Sequence, residues 1–497
     1  MSSLDSFRLP EVVQKHSRFR NPIAKYRLNR NNNCIACGKC VEICPYGVHI
    51  MRRGQVFVEN HYLCVGNDCT EPCVEACPEH ALSMLKNPDF DSIGDLRWTP
   101  DLLASTWYMA EFAVSPPAGL EYRRGASGGG FDKLRLVFKS PKTIQKELQD
   151  KEVDVSVVLN RRNDNAHRVR IQVPFYGGGM SYGSVSITTM LSRIKAAAAL
   201  GTFCCTGEGG YPDELKPYDD HVITQVATGL FGVREETIQR VKIVEFKYAQ
   251  GAKPGLGGHL LGDKVTPGVA RMREAVVGYP LFSPFPFHSV YSVEDHKKHV
   301  DWIKAINPKA LVAVKVSTPT DVDMVAVGSY YAGAHIIHLD GSYGGTGAAP
   351  DIAKKNIAMP IEYAVPKVHR FLEEEGVRDQ ITVIASGGIR TPHDVAKVVA
   401  LGADAVCTGT ADLVALECIR CHNCESGRGC ARGIATTDSE LMDLIDLEWG
   451  AQRIVNMFLA WRRELIRILK KLGMKSLPEL VGRTDCLVHL DHMKESV

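Results

Sequence analysis

Residues 381–390, Ile381-Thr-Val-Ile-Ala385-Ser386-Gly387-Gly388-Ile389-Arg390, decide the architecture of most of this chain. A continuous apolar, β-branched run ends in a serine and two glycines, and a helix-like segment follows. The same order recurs at Ala403-Asp-Ala-Val-Cys407, which runs into Thr408-Gly409-Thr410. It recurs again at His335-Ile-Ile-His-Leu339 before Asp340-Gly341, and at Val312-Ala-Val-Lys315-Val316. Strands that are apolar along their whole length are buried on both faces, and their alternation with helices argues for a parallel sheet. Polar or glycine residues collect at or just past each strand's end. In a (β/α)8 barrel those ends form the active-site face. The expected fold is therefore α/β, a (β/α)8 TIM barrel spanning residues 170–440. An open doubly wound sheet is the alternative, but no G-x-G-x-x-G follows a first strand.

The last two loops carry chemistry. Glycines let main-chain N–H groups approach a phosphate, and a helix N-terminus favours its negative charge. Loops after the seventh and eighth strands are the usual phosphate site of such barrels. Gly387, Gly388, Arg390, Gly409 and Thr410 are accordingly candidate cofactor residues. The plainer alternative is that these glycines only make turns.

The sixteen cysteines are unevenly spread: eight lie between Cys34 and Cys77, and four between Cys418 and Cys430. A disulfide framework does not suit a large chain whose N-terminus (MSSLDSFRLPEVVQKHSRFR) has no apolar signal segment. Cys34-x2-Cys37-x2-Cys40-x3-Cys44-Pro45 is the C-x2-C-x2-C-x3-C-P run of bacterial ferredoxins, in which the fourth cysteine ligates the other cluster. The second run, Cys64-x4-Cys69-x3-Cys73-x3-Cys77-Pro78, has altered gaps but the same ending. The crossed assignment puts Cys34, Cys37, Cys40 and Cys77 on one [4Fe–4S] cluster and Cys44, Cys64, Cys69 and Cys73 on a second. Zinc is the alternative. With an iron–sulfur module attached, the phosphate-bearing ligand of the barrel is expected to be FMN, which accepts single electrons and delivers a hydride.

A charged content of 23% and a formal net charge of +2 argue against a nucleic-acid partner. No run of about 18 apolar residues suggests a transmembrane segment, and the expected location is cytoplasmic. The expected organisation is a ferredoxin-like domain over 1–90, a connector over 91–169, the barrel over 170–440 with its cysteine segment at 418–430, and a helical extension over 441–497. Within the connector, Gly125 to Gly130 reads as a flexible Ser/Gly-rich turn. In the extension, Ile454, Met457, Phe458, Trp461, Leu465, Ile468 and Leu469 follow the 3.6-residue period of a helix docked on the barrel.

Several stretches in order resemble the synthase (FMN) domain of glutamate synthase, in the archaeal-type form with a ferredoxin domain. They are Gly179-Met-Ser-Tyr-Gly183, Thr206-Gly-Glu-Gly-Gly210, Thr224-Gln225-Val-Ala-Thr-Gly-Leu-Phe-Gly232, Ala249-Gln-Gly-Ala-Lys-Pro-Gly255, Lys264-Val-Thr-Pro267, Tyr291-Ser-Val-Glu-Asp295 and Gly344-Gly-Thr-Gly-Ala348. Family members carry a C-x5-C-x4-C-P segment holding [3Fe–4S] after the last strand. Cys418-x5-Cys424-x5-Cys430 is similar, with one extra residue in the last gap, Ala431 in place of proline, and an additional Cys421. The implied third cluster is [3Fe–4S] or, with four thiolates, [4Fe–4S]; a zinc knuckle is the alternative.

The resemblance implies reduction of 2-iminoglutarate, made from 2-oxoglutarate and ammonia, to L-glutamate. It implies that Gln250, Lys253 and Arg273 bind the dicarboxylate and that Glu208 handles protons beside it. Met180 and Ser181 would line flavin and substrate, and Lys315 would balance charge on the reduced flavin. His259 stands where the family commonly has glutamine. No amidotransferase-type cysteine precedes Cys34 and no NAD(P)H site is evident. The expectation is a catalytic subunit served by separate glutaminase-type and electron-donor subunits. Two alternatives are an N-methylglutamate synthase FMN subunit and an electron-transfer flavin subunit without amination chemistry.

Overall fold

The computed structural model describes residues 7–18, 23–66, 69, 72–116, 130–139, 148–350, 352–354 and 356–493. Of the Ser/Gly-rich stretch at 125–130, residues 125–129 lie outside the described residues.

Eight strands close into one parallel barrel: β1 (Phe175–Gly177), β2 (Cys204–Cys205), β3 (Val222–Val226), β4 (Ile243–Lys247), β5 (Leu311–Ser317), β6 (Ile336–Asp340), β7 (Thr382–Ser386) and β8 (Ala405–Thr408). Spatial order follows chain order, and β8 closes on β1 through Val406–Phe175, Cys407–Tyr176 and Thr408–Gly177. Consecutive parallel neighbours joined by crossovers are what βαβ units build. Every residue of β3, β5, β6, β7 and β8 is buried, and in β5 to β8 this burial on both faces goes with the largely apolar runs read from the sequence.

Three expected strands, β6, β7 and β8, start later than their apolar runs. Asp404 precedes β8 because its carboxylate is fixed outside it, accepting from Val383 N at 2.7 Å, Arg161 at 2.6 Å and Arg378 at 3.0 Å. His335 precedes β6 for a similar reason: its ring meets Val312 N at 3.0 Å and Asp164 at 2.8 Å. Lys315 lies within β5, not beyond it.

Three helices tie the remaining chain to the barrel: α1 (Pro100–Phe112), α2 (Ile187–Ala199) and α3 (Leu447–Leu472). Asp446 caps α3 by accepting from Trp449 N at 2.7 Å, and Gly473, at φ 71°, ends it. The apolar stripe read from the sequence is buried along its length, while Arg463 and Arg467 face water. Phe458 stacks on Phe175 of β1 at 4.6 Å, and Trp461 meets the same ring edge-on at 5.8 Å. Two buried polar residues of α3 hold main chain that α3 does not cover. Arg453 donates to the carbonyls of Ala415 (2.8 Å) and Lys15 (2.7 Å), and Asn456 to those of Val13 (2.9 Å) and Ala110 (3.0 Å).

The cysteine-rich N-terminal part is built from two antiparallel pairs, Tyr26–Arg30 with Leu82–Lys86 and His49–Arg52 with Gln55–Val58. Its buried apolar core, Leu28, Val48 and Leu63, is small and is extended by Tyr108 and Phe112 of α1. A core of that size needs help from bound clusters or a neighbouring domain. Tyr62 supplies a further link, donating to the buried Glu111 of α1 at 3.1 Å.

Truncating Trp461 to alanine removes one of the two aromatic side chains that pack α3 on Phe175 of β1. Trp461→Ala is expected to lose about 3–5 kcal/mol in urea unfolding followed by far-UV circular dichroism, whereas the exposed Arg467→Ala changes stability by less than about 0.5 kcal/mol.

Candidate active site

A cavity of ≈ 250 Å³ opens where the barrel strands end. Its walls come from the loops after β1, β2, β3, β4, β6, β7 and β8, with Lys315 of β5 among them. It brings together Met180, Ser181, Glu208, Gln250, Lys253, Arg273, Lys315, Gly387, Gly388, Arg390, Gly409 and Thr410, all of the barrel residues singled out from the sequence.

One end is cationic. Lys247, the last residue of β4, meets Glu208 at 3.1 Å, and Lys253 and Arg273 stand in the same wall. A Cβ at Gly258 would sit 1.5 Å from a Glu208 oxygen and would displace that carboxylate. Burial opposes charge on Glu208, but Lys247, Lys253 and Arg273 outweigh it and hold the carboxyl below the usual range. Burial, reinforced by Lys247, brings Lys253 down to about 8. Arg273 is lowered by burial to about 10. Its Nη2 donates to Ser181 Oγ at 2.8 Å and to Tyr182 O at 3.0 Å, while its buried Nε has no hydrogen-bond partner among the described residues. Clustered, desolvated cations of this kind fit an anionic ligand with more than one carboxylate. His259 lines the rim and meets Glu425 at 3.0 Å. Lys247 was missed from sequence, although its strand-end position is the signal that marked other cavity residues.

The other end is formed by the glycine loops. Gly387 and Gly388 take φ of 92° and 99°, and a Cβ at Gly387 would lie 2.5 Å from Gly341 O. At Gly409 a Cβ would meet nothing within 4 Å, so space is open there. Two buried guanidinium groups stand in this wall. Arg97, from the connector, lies 3.1 Å from the centre of the Tyr343 ring. Arg390 donates to Asp132 at 2.7 Å, to Arg97 O at 3.1 Å and to Asp394 at 3.3 Å, which fixes the connector against the loop after β7. Glycine main chain and open space together fit a phosphate, while the Arg390 charge is already met by Asp132 and Asp394. Arg97 had no distinguishing signal in the sequence, because the fold alone brings the connector to this wall; Tyr343 directly precedes the Gly344–Ala348 stretch.

Below the cavity runs a buried polar chain. Gln225 donates to Glu245 at 2.5 Å, Glu245 meets His338 Nδ1 at 2.8 Å, and His338 Nε2 meets Ser386 Oγ at 2.8 Å. Ser386 donates to Asp340 Oδ1 at 2.6 Å, and Asp340 Oδ2 faces Lys315 Nζ at 3.5 Å. Asp340 also accepts from Gly251 N at 3.0 Å. Burial disfavours charge on both Lys315 and Asp340, yet each offsets it for the other. Asp340 and Glu245 hold Lys315 above the ordinary lysine range, and Lys315 holds Asp340 below the carboxylate range.

The cysteines gather in three places. Cys34, Cys37, Cys40 and Cys77 line one small cavity. Cys44, Cys64, Cys69 and Cys73 stand close together, and burial, then Cys64 and Cys44, push the Cys73 thiol up to about 12. Cys418, Cys421, Cys424 and Cys430 line a third cavity, and Cys418 and Cys424 also belong to the wall of the main one. Four thiols crowded at each place fit a polynuclear iron–sulfur cluster, and Arg30 stands 3.7 Å from Cys40 Sγ. Among the described residues no group of three or more His, Cys, Asp or Glu closes on a single metal ion.

Two family models match the chain: a conserved region in glutamate synthase over residues 129–475 and a 4Fe-4S dicluster domain over residues 15–87. The archaeal-type glutamate synthase (NADPH) of Thermotoga maritima is 37% identical over 474 residues, covering 91% of this chain and 92% of that protein. The chain belongs to the glutamate synthase family. A second relative, the archaeal glutamate synthase (NADPH) of Methanocaldococcus jannaschii, is 36% identical over 483 residues, 93% of this chain and 94% of that protein. The NADPH glutamate synthase large chain of Azospirillum brasilense aligns over 323 residues at 36% identity, 64% of this chain but 21% of the large chain. As a glutamate synthase-like enzyme, the protein is an oxidoreductase of the iron–sulfur flavoprotein type. Among the described residues no helix is long and apolar enough to cross a membrane.

Removing one member of the Lys315–Asp340 pair leaves the other buried and unpaired. Asp340→Leu is expected to cost about 3–5 kcal/mol in urea unfolding. The double variant Lys315→Met, Asp340→Leu is expected to lose less than Asp340→Leu alone.

Proposed function

We propose that the chain reduces 2-iminoglutarate, formed from 2-oxoglutarate and ammonia, to L-glutamate, with electrons entering through the N-terminal cysteine domain. The observation that carries this reading is the convergence of Lys247, Lys253, Arg273, Gln250 and Glu208 in one cavity with the phosphate-fitting loops. Gly387, Gly388, Gly409 and Thr410 would hold the FMN phosphate, and Met180, Ser181 and Lys315 would lie along the flavin. FMN, when bound, supplies a hydride donor that single electrons can recharge.

Arg273 would take one carboxylate of the substrate through its fork, already oriented by Ser181 and Tyr182. Lys253 would neutralise the second, and Gln250 would orient it. Glu208, held ionised by Lys247, is suited to carry a proton from the attacking ammonia to the departing hydroxyl, which leaves as water as the imine forms. Lys315 keeps a fixed positive charge under the cavity, where negative charge develops on reduction. Two [4Fe–4S] clusters on the crossed cysteine sets and a third cluster at Cys418–Cys430 would carry electrons one at a time. Separate glutaminase-type and electron-donor subunits would supply ammonia and reducing equivalents.

Anaerobically purified holoenzyme with a chemical reductant is expected to form glutamate from 2-oxoglutarate and ammonium. Formation of N-methylglutamate from glutamate and methylamine, without that activity, would contradict the proposal. Arg273→Ala is expected to lower kcat/KM for 2-oxoglutarate by about 100-fold, since a buried charge partner is worth about 2–5 kcal/mol.

The pH dependence follows from Lys253. Its charged form binds the dicarboxylate, so affinity is full below its free-site value of about 8 and declines as pH rises through it. kcat/KM for 2-oxoglutarate should therefore fall about tenfold per pH unit above that point. In Lys253→Arg the fall should move to higher pH.

A further inference from the structure

Cys418, Cys421 and Cys424 repeat the C-x2-C-x2-C spacing of Cys34, Cys37 and Cys40. The backbone repeats as well. Ala36 and Gly38, on either side of Cys37, have φ of 53° and 79°; Arg420 and His422, on either side of Cys421, have φ of 60° and 62°. Left-handed backbone is costly for residues with a Cβ and persists only where the surroundings impose it. Here Asp95 of the connector imposes it. Its carboxylate accepts from Arg420 Nε and Nη2 at 3.0 and 2.8 Å and lies 3.4 Å from His422 Nε2. Gly94 N also donates to Ile419 O at 3.0 Å.

The pattern of exposure matches too. Cys37 and Cys421 are exposed, while Cys34, Cys40, Cys418 and Cys424 are half-buried. Each run lines a cavity completed by a fourth thiol from further along the chain, Cys77 in one case and Cys430 in the other. A free surface thiol would need neither two strained neighbours nor a carboxylate clamping both of them.

We propose that Cys421 is the fourth ligand of the cluster at Cys418–Cys430, which is therefore a [4Fe–4S] cubane and not the three-iron cluster that a three-cysteine segment holds. This rests on the reading of the chain as an iron–sulfur flavoenzyme and adds the nuclearity of the cluster that borders the main cavity. Asp95 acts as a positioning residue for that ligand loop.

The test uses the full-length protein purified without oxygen, with iron, sulfide and flavin analysis and Mössbauer and EPR spectra of the oxidised state. The wild type should hold about twelve irons per chain and show no three-iron EPR signal. Cys421→Ala should hold about eleven and gain one three-iron signal per chain, with flavin and the two N-terminal clusters unchanged. A full three-iron signal in the wild type that Cys421→Ala leaves unchanged would overturn the inference while leaving the flavoenzyme reading intact. Zinc in place of iron at this site would also overturn it. A wild type without flavin and without cubane signals would instead defeat the reading on which it rests. The wild-type spectra decide the question even if the variant folds poorly.

Discussion

A lysine and an aspartate face each other at 3.5 Å inside the barrel, both nearly excluded from water. Neither charge is tolerable there without the other, and their pairing sets the terms for what surrounds them. Asp340 ends β6, so its second oxygen reaches Ser386 at the end of β7, and Ser386 in turn meets His338 and, through it, Glu245 of β4. The chain of contacts thus spans four strands and fixes where their C-terminal ends stand. Because Asp340 also accepts from Gly251 N, it anchors the loop that presents Gln250 and Lys253. The floor of the cavity and the placement of its cationic wall therefore depend on one buried ion pair.

The later half of the barrel was readable because β5 to β8 are buried on both faces and leave largely apolar runs of four to seven residues in the sequence. The first two strands were not: β1 and β2 span three and two residues, too few to show a period. Among site residues, glycine loops and the motifs shared with relatives marked most of the cavity. Arg97 escaped because it lies in the connector, some 290 residues before the Arg390 side chain that its carbonyl accepts from. Arg390 itself was found, but only the structure shows its guanidinium holding Asp132 and Asp394. Charges committed to structure and charges left for a ligand look alike in a sequence; their partners distinguish them.

The connector has more than one role. Through Gly94 and Asp95 it holds the third cysteine loop, through Arg97 it reaches the glycine-loop end of the cavity, and through α1 it joins the small N-terminal core to α3. In the proposed reading, one continuous segment thus sets the spacing between electron entry and flavin. Cys418 and Cys424, shared by the wall of the cluster cavity and that of the main cavity, leave no intervening element for an electron to cross.

The most direct test of this account is a crystal structure of the anaerobically purified holoenzyme with 2-oxoglutarate. The account predicts the FMN phosphate against Gly387, Gly388 and Gly409, the two carboxylates on Arg273 and Lys253, and Lys315 beneath the flavin ring. A dicarboxylate bound away from Arg273 and Lys253, or a phosphate outside the loops after β7 and β8, would contradict it.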